Sequence, residues 1–457
     1  MDCTGKATKI SLFDFRTPQM RAFHMSWFAF FLCFFAWFGI APLMKVVREE
    51  MSLTREQVGW TIIASVAVTI VARLLIGWLC DRIGPRLAYT WLLVLGSLPV
   101  MGIGLAQTFE TFLLLRLMIG VIGASFVITQ YHTSVMFAPN CVGTANATTA
   151  GWGNLGGGVT QMLMPLIFAM LTGAMGLSAY WGWRLSMVLA GGVCLLTGIA
   201  YYFLTQDCPE GNFKEIRRAG GSHRNRPRGG SFLEACRDRR VWALFVIYGA
   251  CFGIELTVNN IAALYFLDYF EAFERMEPAQ ALATAGLIAG LFGLMNLFAR
   301  TLGGVFGDRC GIRWGLKGRV TWLWVVLLGE GLALMLFSQM TVLTMAIPAL
   351  VLFSLFVQMS EGATFSVVPF INRRALGSVA GIIGAGGNVG AVAAGFLFKS
   401  STPWPTALLF IGALVTACSF LAFAVRFSPA AEAEVRDELE RRFASEERAP
   451  LPALATA

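Results

Sequence analysis

"VARLLIGWLCDRIGPR" (71–86) returns as "FARTLGGVFGDRCGIR" (298–313), so that Arg300 stands 227 residues after Arg73. The two stretches share an Ala-Arg pair, a glycine four residues after the arginine, and a closing Asp-Arg-x-Gly-x-Arg. A second pair follows in the same order, because "GNLGG" (153–157) corresponds to "GNVGA" (387–391). Two features repeated in one order predict a chain that is built from two related halves.

The composition predicts that both halves lie in a membrane. Of the 457 residues, 56% are hydrophobic and 14% are charged, whereas a soluble domain carries about 25% charged residues. Apolar runs recur that can cross a hydrocarbon core of about 30 Å as helices. We therefore predict an all-α membrane protein with twelve transmembrane helices in two pseudo-symmetric halves of six, over residues 24–44, 57–80, 88–107, 112–136, 142–172, 184–205, 239–267, 281–306, 319–338, 341–369, 375–398 and 404–425.

Charge divides the chain further and orients it. A polar, Gly/Arg-rich central segment carries nine Lys or Arg between Lys214 and Arg240, and basic loops mark the cytoplasmic side of membrane proteins. The net charge of +8 follows from this bias, so we expect a lipid bilayer and no nucleic acid as partner. We predict a multi-pass protein of the plasma membrane or the bacterial inner membrane, with both termini cytoplasmic. Its parts are a cytoplasmic N-terminal segment (1–23), an N-terminal six-helix bundle (24–205), a cytoplasmic linker (206–238), a C-terminal six-helix bundle (239–426) and a cytoplasmic tail (427–457).

Neither an enzyme nor a cofactor-binding domain is expected. Gly151, Gly153 and Gly156 spell G-x-G-x-x-G, but a dinucleotide site needs an acidic residue about twenty positions further on. No Asp or Glu lies between Glu110 and Asp207. Three scattered histidines and ten cysteines without paired spacing predict no metal site. The sequence contains no P-loop and no nucleophile–base constellation, so we expect no catalytic residues and no cofactor.

Arg73 and Arg300 each lie eight residues before the Asp-Arg pair of the repeat. This spacing places them about 12 Å inside a helix end, where a charge costs at least about 2.5–3.5 kcal/mol. A structural ion pair with Glu255 or Glu361, which lie in other apolar runs, is one interpretation. The one we favour is that both arginines face a central cavity, where their planar donors would attract an oxyanion. The residues predict an anion transporter without choosing the anion.

Glycine-rich helices accompany the arginines. Gly153 and Gly157 follow the small-xxx-small spacing that lets membrane helices approach closely, and the "GNVGA" stretch repeats the pattern. Packing alone explains these glycines. It does not explain Asn154 and Asn388, two amides at matching places that need hydrogen-bond partners in hydrocarbon. We expect each amide to bond a neighbouring helix or the anion.

These motifs resemble a known family. The repeated Gly-x-x-x-Asp-Arg-x-Gly-x-Arg pattern resembles the loop signature of the major facilitator superfamily, in which Asp81, Arg82, Asp308 and Arg309 are expected to hold one conformation of the helix ends. "AGWGNLGGGVTQMLMP" and "GIIGAGGNVGAVAAGFLF" resemble the two nitrate signatures of its nitrate/nitrite porter family. "GACFGIELTVNNIAALYF" and "SEGATFSVVPFINRRALG" are also similar to that family, and the resemblance covers nearly all of residues 20–426.

The resemblance implies transport of nitrate, and also of nitrite, by alternating access. Carried over by motif, Arg73 and Arg300 would clamp the anion. The other implied residues are Asn154 and Asn388, which would line the site, Tyr248, Phe252 and Phe126, which would wall it, and Gly153, Gly157, Gly387 and Gly390, which would let helices slide.

The coupling of transport is left open by the sequence. Uptake of an anion against a negative-inside potential costs about 2.3 kcal/mol per charge per 100 mV. Accumulation therefore needs more than one proton, or exchange for another anion such as nitrite. Glu255 and Glu361 are candidate proton carriers, unless each pairs permanently with an arginine or a backbone N–H. A transporter for another small anion and a nitrate-sensing receptor are further alternatives, and the need for an accessory protein is not predicted either way.

Overall fold

The computed structural model describes residues 5–7, 9–137, 142–218, 232–372 and 376–433. Within these ranges the regular structure is helical, with two isolated β-bridges. Eleven helical segments of the described chain are long and apolar enough to cross a membrane. The helix that contains the predicted second span (57–80) is Arg55–Ile83, which is not among the eleven. Its 29 residues nevertheless extend about 43 Å and exceed the hydrocarbon thickness. The predicted all-α membrane class is confirmed.

Sixteen α-helices form the described part of the chain. Those before the central linker are α1 (Pro18–Trp37), α2 (Met44–Glu50), α3 (Arg55–Ile83), α4 (Pro85–Gly102), α5 (Phe109–Ile119), α6 (Ser125–Met136), α7 (Val142–Ala169) and α8 (Ala179–Leu204). Two short helices, α9 (Phe213–Arg218) and α10 (Phe232–Arg237), lie in the linker. The remaining helices are α11 (Arg239–Tyr269), α12 (Pro278–Leu294), α13 (Ala299–Ser338), α14 (Leu343–Val367), α15 (Leu376–Lys399) and α16 (Trp404–Ser419).

Several helix ends differ from the predicted ones, and glycine or proline explains the difference. The first helix begins at Pro18, six residues before the predicted start at 24, because proline suits the first helical turn. The loop predicted between the second and third spans shrinks to Gly84, whose φ of 89° is a glycine conformation. The predicted eighth span (281–306) extends over α12 and the start of α13. Helix α13 then bends at Gly315, where φ is 69°, before the predicted ninth span (319–338).

Asp207 fastens the start of the linker to the turn at Gly84. Its carboxylate accepts the backbone N–H of Arg86 at 2.9 Å and that of Phe213 at 2.9 Å. Burial raises the pKa of Asp207, and the two backbone hydrogen bonds oppose that rise. A Cβ at position 84 would meet this carboxylate, so glycine is required there for space as well as for conformation.

The two halves pack against each other through two helix pairs, α3 with α15 and α7 with α12. The second pair brings backbones together, because a Cβ on Gly158 would lie 2.7 Å from the Cα of Gly293. Buried apolar residues from both halves belong to one continuous cluster. The repeat therefore becomes two bundles that share one interface, which is where α3 and α13 carry the repeated arginines.

Ion pairs join the halves at the end of the molecule opposite the linker, which we call the outer face. Arg48 donates two hydrogen bonds to the carboxylate of Asp268, at 2.5 and 2.8 Å. Lys399 lies 3.2 Å from Glu56, and its ammonium is 4.0 Å from the centre of the Trp60 ring. These contacts close the outer face. A pocket of about 330 Å³ remains there, lined by Arg48, Arg55, Val58, Asp268, Tyr269 and Trp404.

Candidate functional site

Arg73 is buried where the halves meet, with 6% of its surface exposed. It lies on α3, and its Nη1 donates across the interface to the carbonyl oxygen of Gly384 on α15, at 3.0 Å. Its Nε and Nη2 are buried and have no hydrogen-bond partner in the described part of the chain. A buried donor without a partner is costly, so this guanidinium is prepared to receive a ligand with acceptor oxygens.

Aromatic rings hold the Arg73 guanidinium in place. Its central carbon lies 5.4 Å from the centre of the Phe126 ring and 5.4 Å from that of Phe252. Phe252 in turn stacks on Tyr248, one helical turn earlier on α11, with centroids 5.2 Å apart and planes at 12°. Rings at i and i+4 share one helix face. The structure thus brings together the three aromatic residues that were predicted to wall the site.

Arg300, in the C-terminal half, contacts Tyr248 of the stacked rings of Tyr248 and Phe252, which we call the aromatic wall. Unlike Arg73, it already has a carboxylate partner. Its Nη2 donates to the Tyr248 hydroxyl at 3.0 Å. Its Nη1 forms an ion pair with Glu361 Oε2 at 2.7 Å, and both side chains are buried. The helices α13 and α14 touch backbone to backbone here, because a Cβ on Gly362 would collide with the carbonyl of Arg300. That contact places Glu361, the preceding residue, beside the arginine.

The two repeated arginines therefore differ in charge balance. Arg300 is neutralised by Glu361, whereas Arg73 contacts a carbonyl and two rings. An approaching anion would meet an unpaired guanidinium at Arg73 and an occupied one at Arg300. The two arginines thus occupy matching positions in the two halves but differ in their electrostatic surroundings, and the clamp remains a prediction.

The predicted amides take different surroundings. Asn388 on α15 is fully buried, and neither its amide nitrogen nor its oxygen has a hydrogen-bond partner among the described residues. Asn154 on α7 donates to Glu255 at 3.4 Å, and Asn296 donates to the same carboxylate at 2.6 Å. Glu255 in turn interacts with the carboxyl group of Glu361. Asn154 thus supports an acidic cluster, and Asn388 keeps free groups for a ligand.

The four predicted glycines are close-packing positions. A Cβ on Gly153 would collide with the Phe30 ring, and one on Gly387 would collide with the Phe252 ring. Gly390 faces the backbone of Gly249, and a Cβ on Gly157 would lie 3.1 Å from the Asn259 amide nitrogen. These neighbours come from α1 and α11. Because Gly387 and Gly390 lack side chains, α11 packs closely against α15, and this contact determines where the Phe252 ring lies. Helix sliding remains a prediction.

The Asp-Arg signature can be followed in part. Asp81, Arg82 and Asp308 fall within α3 and α13, but their side chains lie outside the described residues. Arg309 is exposed, and its guanidinium lies 5.7 Å from the centre of the Phe306 ring. Its conformational role remains a prediction.

Sequence reasoning missed two residues near this site. Asn296 lies just before Arg300 and donates to Glu255. Glu330 on α13 is fully buried, and neither of its carboxyl oxygens has a hydrogen-bond partner among the described residues. The signal for Glu330 was present in "LLGEGLAL" (327–334), where one acid interrupts an apolar run. Such a residue is a functional candidate by default.

The fold and the buried arginines define a multi-pass helical membrane transporter with a polar site between two halves. The sequence profile of the Major Facilitator Superfamily matches residues 26–383. A "High affinity nitrate transporter 2.5" of Arabidopsis thaliana is 39% identical, covering 92% of this chain and 82% of its own. A "Nitrate/nitrite transporter NrtP" of Picosynechococcus sp. is 30% identical, covering 82% of this chain and 84% of its own.

A solved structure agrees with the fold. A bacterial homolog of the human lysosomal transporter Spinster, in an inward-facing and occupied conformation, superposes with a TM-score of 0.67 at 16% identity. The alignment covers 89% of this chain and 98% of that one. The chain belongs to the nitrate/nitrite porter family of the Major Facilitator Superfamily. It is a transporter and not an enzyme.

Proposed function

We propose that this chain moves nitrate, and nitrite, across a membrane by alternating access, with the anion bound between Arg73 and Arg300. The observation that carries the proposal is the Arg73 guanidinium, buried with its Nε and Nη2 donors unused. A planar oxyanion can accept two parallel N–H bonds from one guanidinium. The flat rings of Phe126 and Phe252 suit a flat ligand beside that guanidinium.

The amide of Asn388 completes the proposed site. It is buried with both polar groups unused, and it lies on the same helix as Gly384, the Arg73 partner. An anion can accept the amide N–H and so reduce the cost of burying that group. The relatives' names include nitrate and nitrite, and both anions offer the coplanar oxygens that this donor set needs.

We infer proton coupling from the Arg300–Glu361 ion pair. Nitrate cannot fully use Arg300 while Glu361 is ionised at 2.7 Å, because the carboxylate competes for the same charge. A proton on Glu361 removes that competition, so proton binding and anion binding favour each other. Glu255, held by Asn154 and Asn296 and adjacent to Glu361, is the second carboxylate of this proposed pair. Two carboxylates that interact in one buried site favour sharing a proton.

The charge distribution along the chain also supports a membrane topology. The basic linker supports a topology in which both termini are cytoplasmic, in a plasma membrane or a bacterial inner membrane. The outer face then lies outside, and its ion pairs must part before external nitrate reaches Arg73. Gly153, Gly157, Gly387 and Gly390 give the helices smooth surfaces on which this movement takes place.

Nitrate entry into proteoliposomes tests the proposal. The purified protein is reconstituted without internal anion substrate, and an inward proton gradient is imposed. We expect nitrate to accumulate, and a protonophore to abolish the accumulation. Glu361→Gln should uncouple nitrate flux from pH, whereas the control Glu110→Gln, an exposed acid, should leave coupling intact.

Three other outcomes assign a different function. Nitrate entry that begins only after nitrite is loaded inside identifies an exchanger. Preferred transport of another small anion in competition assays overturns the substrate. Nitrate binding without transport under any gradient indicates a nitrate-sensing receptor.

A further inference from the structure

Glu330 is a carboxylic acid in the membrane interior that the mechanism above does not use. It lies on α13 between two glycines that pack tightly against neighbouring helices. Gly329 faces the Phe356 ring of α14, and a Cβ on Gly331 would lie 2.6 Å from the Thr416 nitrogen of α16. The backbone around Glu330 is therefore fixed, and its fully buried side chain cannot extend to either surface.

Within the part of the chain that the structure describes, no cation lies among the groups that interact with Glu330. Helix α14 brings Ser360 and the carboxylate of Glu361, and α11 brings the thiol of Cys251. Ser360 donates its hydroxyl to the Phe356 carbonyl at 2.8 Å. Arg300, the arginine at this end of the site, is paired with Glu361. From α16, the neighbour beside Gly331 is Thr416, which is uncharged.

These contacts decide the charge state of Glu330. An ionised carboxylate that is buried without a donor or a cation is strongly unfavourable, and such a group neutralises instead. The negative charge of Glu361 adds repulsion. In this closed-outside conformation Glu330 therefore holds a proton. It can release the proton only in a conformation that hydrates it or changes the charge on Glu361.

We propose that Glu330 is a second proton-binding site of the transport cycle, in addition to Glu361. The proposal rests on the proton coupling proposed above. The Glu330 carboxylate accepts a proton when the site is open to the outside and gives it up to the linker side. One proton on Glu361 and one on Glu330 then accompany each nitrate, so that each transport cycle carries one net positive charge inward. A membrane potential that is negative inside then drives uptake.

The test measures the charge that moves with each nitrate. Proteoliposomes hold the full-length protein, and a potassium gradient with valinomycin sets the membrane voltage. Under a fixed proton gradient, the voltage at which net nitrate flux stops gives the charge that moves with each nitrate. We expect one net positive charge per nitrate for the wild type. Glu330→Gln should lower this value to zero while nitrate transport still responds to pH, and Glu110→Gln should keep the wild-type value.

The outcomes separate the two proposals. Electroneutral but pH-driven transport by the wild type, or an unchanged charge per nitrate in Glu330→Gln, overturns the role of Glu330 and leaves coupling at Glu361 intact. No response of the wild type to a proton gradient overturns both.

A spectroscopic measurement covers the case in which Glu330→Gln does not fold. Infrared spectra of the wild type should contain the C=O stretch of a buried neutral carboxylic acid, and Glu330→Asp should shift that band. A spectrum whose acid band is unaffected by Glu330→Asp contradicts the proposal.

Discussion

The guanidinium carbon of Arg73 lies 5.4 Å from the centre of the Phe252 ring. That ring stacks on Tyr248, whose hydroxyl accepts a hydrogen bond from Arg300. The two arginines thus meet one aromatic wall on α11, which fixes their spacing before a ligand arrives. A site whose donors are already in position loses little conformational freedom on binding.

The planar shape of the Arg73 guanidinium is predicted to matter as much as its charge. Arg73→Lys keeps the charge but removes the parallel donors. The loss of one charge-assisted hydrogen bond costs about 1.5–3 kcal/mol, which corresponds to a rise of roughly 10- to 100-fold in the KM for nitrate. Uptake kinetics in proteoliposomes measure it. Arg275→Lys, at an exposed arginine outside the site and the Asp-Arg signature, is the control. Unchanged KM in Arg73→Lys would show that charge alone is sufficient.

The Tyr248 hydroxyl is predicted to make a smaller contribution. Tyr248→Phe preserves the stack on Phe252 and removes the acceptor of the Arg300 Nη2 hydrogen bond. We expect a loss of about 1 kcal/mol in nitrate binding, or roughly a fivefold higher KM, with the melting temperature little changed. Phe252→Leu, which removes the ring on which both Arg73 and Tyr248 rest, should have the larger effect. A reversed order would contradict the aromatic wall as the organising element.

Two glycines on α15 provide a matched test of close packing. A Cβ on Gly390 would collide with the backbone of Gly249, whereas one on Gly381 would meet no atom within 4 Å. Gly390→Ala should destabilise the protein by about 1–3 kcal/mol, as overpacking does, and should reduce transport. Gly381→Ala should be neutral or stabilise α15 by up to about 1 kcal/mol. Thermal unfolding in detergent compares them, and equal melting temperatures would refute the packing argument.

The sequence predicted the helical class, the buried position of Arg73 and Arg300, and the aromatic neighbours. Repetition and hydropathy carry the helical class and the depth of the arginines, whereas the aromatic neighbours were implied by the family resemblance. The Arg300–Glu361 pair, offered as one alternative, depends on how α13 meets α14. The partners of Glu255 could not be read in advance, since Asn154 and Asn296 come from different halves. Glu330 was visible in its apolar run, but its lack of a partner is a property of packing.

The ion pair between Arg48 and Asp268 is predicted to hold the outer face closed. Its side chains are 28% and 22% exposed, so solvent screens the pair and its contribution is about 0.2–1 kcal/mol. Because opening and closing are balanced in a transporter, a change of this size shifts the populations measurably. We expect Asp268→Asn to raise the ratio of outward-open to outward-closed protein by roughly 1.4- to fivefold.

A cysteine at Val58 reports this opening, because Val58 is buried and lines the outer pocket. Its reaction with a membrane-impermeant thiol reagent should speed up in Asp268→Asn in proportion to the fraction of the protein that is open to the outside. The exchange variant Arg48→Asp with Asp268→Arg restores the attraction across the halves and should return the rate toward that of the Val58→Cys parent. If the exchange variant reacts as fast as Asp268→Asn, the pair is not the contact that closes the outer face. Closure would then rest on Lys399, Glu56 and Trp60, which lie at the neighbouring helix contact.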